Sequence, residues 1–259
     1  MKKILCIGVG LITEHFIKCY GDTYNVHVIV RDPMTYTKIG NESVFGPSDL
    51  PRIICDMDII MNTVVDSKFN VDDSYDKTIV DLCNEHNIRP VHILLGSRKQ
   101  NGCSDEYTLY KNKVEDLYRG QDCVVLRLPN VYGDSRNFLR KNLFIPRIIS
   151  SARDGELHFD ISLRSTKVFV HVTDVCQAIH TLLMHKVYNQ TVAVGGENVS
   201  VESIINVIQS KRKVRVIQTN ERVDSFTVDD TFIRSIGWYP HKDFVVELSL
   251  LLDKYLDSI

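Results

Sequence analysis

Short apolar runs alternate with amphipathic segments through the first half of the chain, and this alternation limits the fold more than any other feature. The apolar runs have the length of buried strands, whereas the segments between them repeat apolar residues every three or four positions, as helices do. The predicted strands are 4–7, 26–30, 43–45, 58–65, 91–95 and 124–128, and the predicted helices are 12–20, 71–87 and 107–119. This pattern predicts an α/β fold with a doubly wound parallel sheet, covered by helices on both faces.

The alternation becomes looser beyond Pro129. The elements predicted there are a helix over 138–151 that Pro146 bends or splits, a strand over 168–170, a helix over 173–183 with Thr173 as its N-cap, a strand over 191–194, a helix over 201–209, a strand over 214–217 and a helix over 244–256. We therefore expect residues 1–135 to form the sheet domain and residues 136–259 to form mainly a smaller C-terminal lobe. Residues 165–195 are expected to return to the first domain.

The composition is that of a globular protein with a full core. The 259 residues are 44% hydrophobic, and the formal net charge of −2 comes with 31 Lys and Arg residues that form no dense run. We therefore expect no nucleic-acid partner and no membrane surface. The chain has no apolar run long enough to span a membrane and no secretory cleavage site near its start, which predicts a cytoplasmic location.

Seven cysteines are spread along the chain without a C-x-x-C pair. Disulfide frameworks and zinc sites need cysteines at paired spacings. We therefore interpret the cysteines as small buried apolar residues of a reducing compartment, and we expect no metal site.

A glycine-rich turn joins the first strand to the first helix, with the sequence Gly8-Val9-Gly10-Leu11-Ile12-Thr13. Glycines at such a turn let the backbone approach a pyrophosphate, and the N–H groups of the helix N-terminus point at it. Gly8, Gly10, Leu11 and Ile12 are therefore candidates for binding a dinucleotide. The structural alternative is that a tight turn needs glycine for steric reasons alone.

The second strand ends in Val30-Arg31-Asp32, where a dinucleotide-binding fold meets the adenosine ribose. A carboxylate there favours a free 2′-hydroxyl, and an arginine favours a 2′-phosphate. Arg31 comes first, so NADP is predicted, while Asp32 keeps NAD open. A solvated ion pair between the two residues is the structural alternative.

Tyr107 and Lys111 lie four residues apart in a predicted helix, and so they share one face of it. A nearby ammonium favours the phenolate and lowers the pKa of a tyrosine, which makes its hydroxyl a useful proton donor and acceptor. Such pairs also occur by chance, and Tyr110 with Lys113 is a competing pair. The position of the first pair, between two predicted strands, favours it.

Seven segments occur in one order along the chain: residues 4–13, 58–63, Gly96-Ser97, Tyr107 to Lys111 with Glu115, 127–133, 168–175 and 237–240. Taken together they resemble the extended short-chain dehydrogenase/reductases, a family of NAD(P)-dependent sugar-nucleotide epimerases, dehydratases and reductases. The resemblance covers nearly the whole chain. It implies a Rossmann-type NAD(P)-binding domain over 1–135 and a substrate-binding lobe over 136–259.

The resemblance implies roles for residues of the first domain. Tyr107 is the catalytic acid and base, Lys111 tunes it and holds the nicotinamide ribose, and Ser97 steadies the substrate carbonyl. A turn residue after a strand is the alternative for Ser97. Asn62 and Thr63 border the cofactor at the end of a strand.

The resemblance also implies roles around and beyond the domain boundary. Pro129 lies near the nicotinamide, Asn130 faces the substrate or the cofactor, and Asn142 contacts the nucleotide diphosphate. Lys167 stands where the family has an arginine for that diphosphate, so it keeps the charge but loses the bidentate fork.

Some segments depart from the family pattern. The glycine turn is one residue short and ends in Thr13, and Arg98-Lys99 replaces the acidic pair that dehydratases use, so we expect no dehydration. Residues 222–229 resemble a C-terminal segment of dTDP-4-dehydrorhamnose reductases. We therefore predict a cytoplasmic 4-ketosugar nucleotide reductase that uses NADPH.

Two other functions remain open from the sequence. One is a nucleotide-sugar epimerase with tightly bound NAD(P), and the other is a non-catalytic NADP-binding regulator. A homodimer that pairs through the helix carrying Tyr107 is expected by analogy with the family.

Overall fold

The structure is a computed structural model that describes residues 1–63, 74–97, 106–136, 138–140 and 143–257. The chain divides into two compact units. The first unit comprises Met1–Leu128 and Cys176–Ala193, and the second comprises Pro129–Val175 and Val194–Ile259.

The described elements follow the alternation that the sequence predicts. The strands are β1 Lys3–Ile7, β2 Asn25–Ile29, β3 Ser43–Phe45, β4 Ile59–Asn62, β5 Val91–Ser97, β6 Cys123–Leu128, β7 Asn130–Tyr132, β8 Glu156–Phe159, β9 Thr166–His171, β10 Gln190–Ala193, β11 Glu197–Ser200 and β12 Arg215–Gln218. The helices are α1 Leu11–Tyr20, α2 Leu50–Ile53, α3 Ser74–Glu85, α4 Glu106–Leu117, α5 Phe144–Arg153, α6 Val172–Met184, α7 Val201–Lys211, α8 Thr231–Ser235 and α9 Phe244–Tyr255. The predicted ends of β4 and α3 at 64–65 and 71–73 lie outside the described residues.

The first unit contains a parallel sheet with the strand order β3-β2-β1-β4-β5-β6-β10. The chain reverses its direction of progress across the sheet between β1 and β4, which are neighbours. This is the Rossmann-type doubly wound arrangement that the sequence predicts. In such sheets, ligands bind at the carboxyl ends of the strands beside the reversal, because the loops on either side diverge there.

Both faces of this sheet are buried, which explains the uninterrupted apolar sequences of its strands. Ile4, Leu5 and Cys6 of β1 are fully buried, and so are Ile59 and Met61 of β4. A strand that is covered on both sides gains from apolar residues at every position and not at alternate ones.

The second unit contains a three-stranded sheet, β11-β9-β7, and a separate parallel pair, β12-β8. Its core gathers aromatic rings from different elements, with Phe169 of β9 against Phe244 of α9 and Tyr132 of β7. The sequence does not predict β7, β8 and β11. Each of them has three or four residues, which is too short for an alternating pattern to be distinguished from a loop.

Two predictions about helix starts are wrong. The chain over 138–151 forms a short 3-10 turn at Phe138–Arg140 and then a helix that begins at Phe144, so Pro146 lies in the first turn. The N–H groups of a first turn have no intrahelical acceptor, so proline costs no hydrogen bond there and does not bend the helix.

The start of α6 also differs from the prediction, because Thr173 is not its N-cap. The helix begins at Val172, and the backbone N–H of Thr173 donates to Nδ1 of His171 at 3.3 Å. Oγ1 of Thr173 lies 2.7 Å from the same nitrogen. The imidazole of the preceding strand residue therefore takes the role that we predicted for the threonine.

The interpretation of the cysteines holds for four of the six that the structure describes. Cys6, Cys83, Cys123 and Cys176 are buried thiols. Cys19 and Cys55 are exposed, so the prediction is wrong for these two. Within the residues that the structure describes, no helix combines the length and the apolar character needed to cross a membrane.

Candidate active site

The glycine turn has the geometry of a backbone that approaches a ligand. Gly8 has φ of +81°, a conformation that costs residues with a side chain about 1–2 kcal/mol. Gly10 precedes α1, and a Cβ added to it would meet no atom within 4 Å, so the space beside this backbone is open. Leu11 and Ile12 open the helix, and their N–H groups precede its first hydrogen bond, from Glu14 to Gly10. The turn therefore fits a pyrophosphate.

Thr13 and Thr63 stabilise this turn from behind. Their hydroxyl oxygens lie 3.0 Å apart, and Oγ1 of Thr63 is 3.0 Å from the carbonyl oxygens of both Ile7 and Gly8. Thr13, which replaces the third glycine of the family pattern, is fully buried. The shortened pattern is thus compensated by a threonine that ties α1 to the end of β4. The hydroxyl of Thr63 is therefore hydrogen-bonded within the protein.

Arg31 and Asp32 follow the carboxyl end of β2, and both are exposed. Oδ1 of Asp32 accepts a hydrogen bond from the backbone N–H of Met34 at 3.0 Å. This carboxylate is therefore engaged in closing a turn, while the guanidinium of Arg31 extends into solvent at the position where the adenosine ribose is expected.

A buried polar cluster lies beside the end of β4. Its centre is the carboxylate of Asp76 on α3, which is 2% exposed. Nδ2 of Asn62 donates to Oδ1 of Asp76 at 2.6 Å, and the hydroxyl of Tyr118 donates to the same oxygen at 3.1 Å. The hydroxyl of Tyr110 donates to Oδ2 at 3.3 Å. The ammonium of Lys111, itself 8% exposed, interacts electrostatically with this carboxylate.

Burial and charge act against each other in this cluster. Burial lowers the pKa of Lys111, and the carboxylates of Asp76 and Glu115 oppose that effect. Burial raises the pKa of Asp76, whereas the hydrogen bonds from Asn62 and Tyr118 and the charge of Lys111 oppose it. Both groups shift towards their neutral forms because desolvation is the largest cause in each case.

The structure brings Asn62 and Lys111 together. They line one pocket with Gly96 at the ends of β4 and β5, and Asp76 and Tyr110 line it too. Gly96 immediately precedes Ser97, the last residue of β5.

The side chains of Ser97 and Tyr107 lie outside the described part of the structure, as do Arg98, Lys99 and Asn142. The backbone of Tyr107 is in α4, one helical turn before Lys111.

The two residues of the competing pair, Tyr110 and Lys113, lie in different surroundings. Tyr110 is buried and its hydroxyl donates to Asp76, whereas Lys113 is exposed. The ring of Tyr110 lies 5.7 Å from Nζ of Lys111. Tyr110 therefore lies beside the ammonium of Lys111 while its hydroxyl is bonded to Asp76.

Two candidate residues of the second unit have structural partners. Pro129 is the first residue of this unit, and Asn130 follows it in β7. Nδ2 of Asn130 donates to the carbonyl oxygen of Val168 at 2.9 Å, which joins β7 to β9. Nζ of Lys167 lies 3.8 Å from Oδ2 of Asp224.

Residues 222–229, which resemble the reductase segment, run beside β9. The backbone N–H of Asp224 donates to Oγ of Ser165 at 2.9 Å, and the backbone N–H of Thr166 donates to Oγ of Ser225 at 3.1 Å. Ser225 therefore holds the segment against the strand that carries Lys167.

Two of the sequence motifs meet within the second unit. Trp238 is fully buried, and its indole N–H donates to the carbonyl oxygen of Asp174 at 2.9 Å. The carboxylate of Asp174 accepts from the backbone N–H groups of His241 and Lys242 at 3.2 and 3.3 Å. These hydrogen bonds hold the two motifs together within the unit.

Sequence reasoning missed Asp76. The signal was present, because Asp76 shares the inward face of its helix with Ile79, Val80 and Cys83. A carboxylate on an apolar face needs partners, since an unpaired buried charge is expensive. The pattern alone does not show which residues those partners are.

Comparison with known proteins agrees with this geometry. Residues 107–195 match the model of the NAD dependent epimerase/dehydratase family. Within this segment, the match confirms the predicted resemblance to the extended short-chain dehydrogenase/reductases. The particular likeness to dTDP-4-dehydrorhamnose reductases stays a prediction.

Solved structures share the fold over nearly their full length. UDP-N-acetylglucosamine 4-epimerase of Methanobrevibacter ruminantium M1, in complex with UDP-N-acetylmuramic acid, is 18% identical, with 97% of each chain covered and a TM-score of 0.79. UDP-glucose 4-epimerase of Thermotoga maritima, with UDP-glucose, is 17% identical, with 97% of each chain covered and a TM-score of 0.78. UDP-glucuronic acid 4-epimerase of Bacillus cereus, in complex with UDP-glucuronic acid and NAD, is 16% identical, with 98% of each chain covered and a TM-score of 0.80. At such low sequence identity, the structural likeness to these proteins establishes the fold alone.

Proposed function

We propose that this chain transfers hydride between NAD(P) and a carbon of a nucleotide-linked sugar, and that it thereby epimerises the sugar. The observation that carries this proposal is the position of Lys111. It lies on α4, one turn after Tyr107, and lines the pocket at the ends of β4 and β5 within the segment that matches the family model. The three named structures are also epimerases of UDP-sugars.

The residues of the first unit supply the proton chemistry. A bound nicotinamide would supply hydride transfer to and from the sugar carbon. Tyr107 takes the proton of the sugar hydroxyl as that carbon becomes a ketone, and gives it back when the ketone is reduced from the opposite face. Lys111 favours the phenolate of Tyr107 by its charge and donates to the nicotinamide ribose, and Ser97 holds the sugar oxygen.

A second candidate is the reduction of a ketosugar nucleotide by the same residues. It is favoured by residues 222–229, which resemble the reductase segment and lie along β9 with Asp224 beside Lys167. The two reactions differ in their balance, because reduction consumes one NADPH for each ketosugar and epimerisation returns the cofactor unchanged. A regulator without catalysis would need the cofactor pocket but not Lys111 beside Tyr107.

NADP is the proposed cofactor, and NAD is the alternative. Arg31 is exposed at the end of β2, and the carboxylate of Asp32 is engaged with Met34. A guanidinium there suits a 2′-phosphate, and an engaged carboxylate is less able to accept from a 2′-hydroxyl. Asn130, Asn142 and Lys167 are proposed to bind the nucleotide sugar.

A homodimer through α4 is proposed as well. Leu109 of this helix is 53% exposed, which suits a helix that pairs with a second copy. A monomer in light scattering at micromolar concentration would refute it.

Turnover assays test the reaction directly. The purified protein is incubated with UDP-glucose, UDP-N-acetylglucosamine or UDP-glucuronic acid, and the sugar epimers are separated and quantified. A parallel assay follows NADPH absorbance with a ketosugar nucleotide. Epimer formation without net NADPH loss supports the proposal, and NADPH loss matched to ketosugar consumption supports the second candidate. Cofactor binding without either reaction, across this panel, would favour the regulator.

A further inference from the structure

The carboxylate of Asp76 lies at the wall of the candidate active site, in the pocket that Lys111 also lines. Asp76 belongs to α3, but its hydrogen-bond donors come from the end of β4, through Asn62, and from α4 and the residue just after it, through Tyr110 and Tyr118. All three donors are neutral. Lys111 lines the same pocket as Asp76, and its Nζ lies 5.7 Å from the ring of Tyr110, whose hydroxyl donates to that carboxylate. The ammonium of Lys111 also interacts electrostatically with Asp76.

The other charged groups around Lys111 are arranged differently. Glu115 lies one turn further along α4 and also interacts with Lys111, but Oε2 of Glu115 is 3.5 Å from the guanidinium of Arg127 on β6. The charge of Glu115 is therefore shared between two cations. Asp76 is buried, and its hydrogen-bond donors are all neutral. Its charge therefore acts on Lys111 through a low-dielectric interior, where the interaction between two charges is strong.

We propose that Asp76 is a positioning residue that keeps Lys111 protonated and fixed beside the end of β4. Without this carboxylate, a buried ammonium would lose its nearby countercharge and shift towards the neutral amine. A neutral Lys111 would no longer favour the phenolate of Tyr107. The consequence for catalysis rests on the proposed function, whereas the link between the two charges does not.

A purely structural role is the competing explanation, in which Asp76 serves to tie α3 to α4. Three variants separate the explanations. Asp76→Asn removes the charge and keeps the shape of the side chain. Tyr118→Phe removes one hydrogen bond to Asp76 and leaves the charge in place. Asp76→Glu keeps the charge on a longer side chain.

The charge link is measured by NMR titration of protein labelled with ¹³C at the lysine ε-carbons. The signal of Lys111 is assigned as the one that Lys111→Arg removes. We expect Lys111 to titrate at lower pH in Asp76→Asn than in the wild type, and to titrate as in the wild type in Tyr118→Phe and Asp76→Glu. An unchanged titration in Asp76→Asn overturns the proposal, and so does a shift of equal size in Tyr118→Phe.

The reciprocal variant keeps the test decisive if Asp76→Asn does not fold. Lys111→Met removes the cation, and the carboxyl carbon of Asp76 is then expected to titrate at higher pH than in the wild type. An unchanged Asp76 signal would contradict the proposal.

The catalytic consequence is read from the pH dependence of kcat/KM. The alkaline limb, where Lys111 loses its proton, is expected to move to lower pH in Asp76→Asn and to stay in place in Tyr118→Phe. If the wild type turns over no nucleotide sugar while the NMR titration of Lys111 still moves, the proposed function fails and the charge link stands.

Discussion

Lys111 of the first unit and Lys167 of the second are both candidate functional cations, but they face different carboxylates. The partner of Lys111 is Asp76, which is 2% exposed, whereas the side chain of Asp224, 3.8 Å from Lys167, is 47% exposed. Solvent screens the second pair and not the first. We therefore expect the charge of Lys111 to affect chemistry through its protonation state, and the charge of Lys167 to affect mainly the attraction of a ligand.

The largest expected effect is on turnover, and it concerns the tyrosine one helical turn before the buried Lys111. Tyr107→Phe removes the hydroxyl that Lys111 is proposed to activate and keeps the volume of the ring. Turnover should fall by about 10²–10⁴ while the melting temperature and cofactor affinity barely change. Steady-state kinetics and thermal unfolding check both parts.

Tyr110→Phe is the matched control for that variant. It removes a hydrogen bond to Asp76 and should cost about 1 kcal/mol of stability with turnover largely retained. Near-normal turnover in Tyr107→Phe, or a severe loss in Tyr110→Phe alone, would show that the wrong tyrosine has been assigned.

The stability of the first unit should fall at acid pH, because the buried imidazole of His92 does not accept a proton in the folded chain. His92 of β5 is fully buried against the ring of Tyr118, and burial lowers its pKa to about 4. The unfolded chain takes up this proton below its ordinary pKa of 6.5 and the folded chain does not, so stability falls as the pH drops from 6.5 towards 4. The full loss is about 3 kcal/mol. Denaturant unfolding of the wild type and His92→Phe at several pH values measures it.

The difference between those two proteins is the decisive quantity, because other groups titrate in the same range. The variant should lose less stability than the wild type between pH 7 and 4. Parallel curves would mean that His92 is solvated or charged in the folded state.

The exposed guanidinium of Arg31 should affect only the preference for NADPH over NADH. Arg31→Ala should weaken NADPH about tenfold to a hundredfold, since a charge-assisted contact to a phosphate contributes ~1.5–3 kcal/mol, and should leave NADH nearly unchanged. Calorimetry with both cofactors compares the two affinities. Equal losses for both cofactors would exclude a contact between Arg31 and the 2′-phosphate.

The smallest expected effect concerns Lys167. Lys167→Met should weaken binding of a nucleotide sugar by about fivefold, because a partly solvated ammonium contributes about 1 kcal/mol, and the loss should shrink as salt is added. Titration calorimetry with UDP-glucose at two ionic strengths checks this. Asp224→Asn is the control, since it leaves the cation in place, and its affinity should not fall. A salt-independent loss would indicate that Lys167 is buried against its ligand.

Much of the fold was predictable because it is encoded locally. The apolar runs of β1, β4, β5 and β6 and the glycine at position 8 are properties of consecutive residues, and so the strands, the first turn and the doubly wound sheet follow from them. The same holds for Lys111 one turn after Tyr107. The short strands and the start of α5 were harder to predict, since three or four residues carry too little pattern and Pro146 suits a first turn as well as a break.

Tertiary structure decided which polar groups work together. Asp76 meets Asn62 and Tyr118 across 14 and 42 residues of sequence, and Thr63 meets the turn at Gly8 across 55. Nothing in the periodicity of a helix identifies such partners, because a buried carboxylate is stabilised by whichever donors the packing of the sheet brings within about 3 Å of it. The sequence by itself therefore determined the sheet and indicated the family resemblance and the candidate proton donor, and the packing of α3 against α4 determined the surroundings of Lys111.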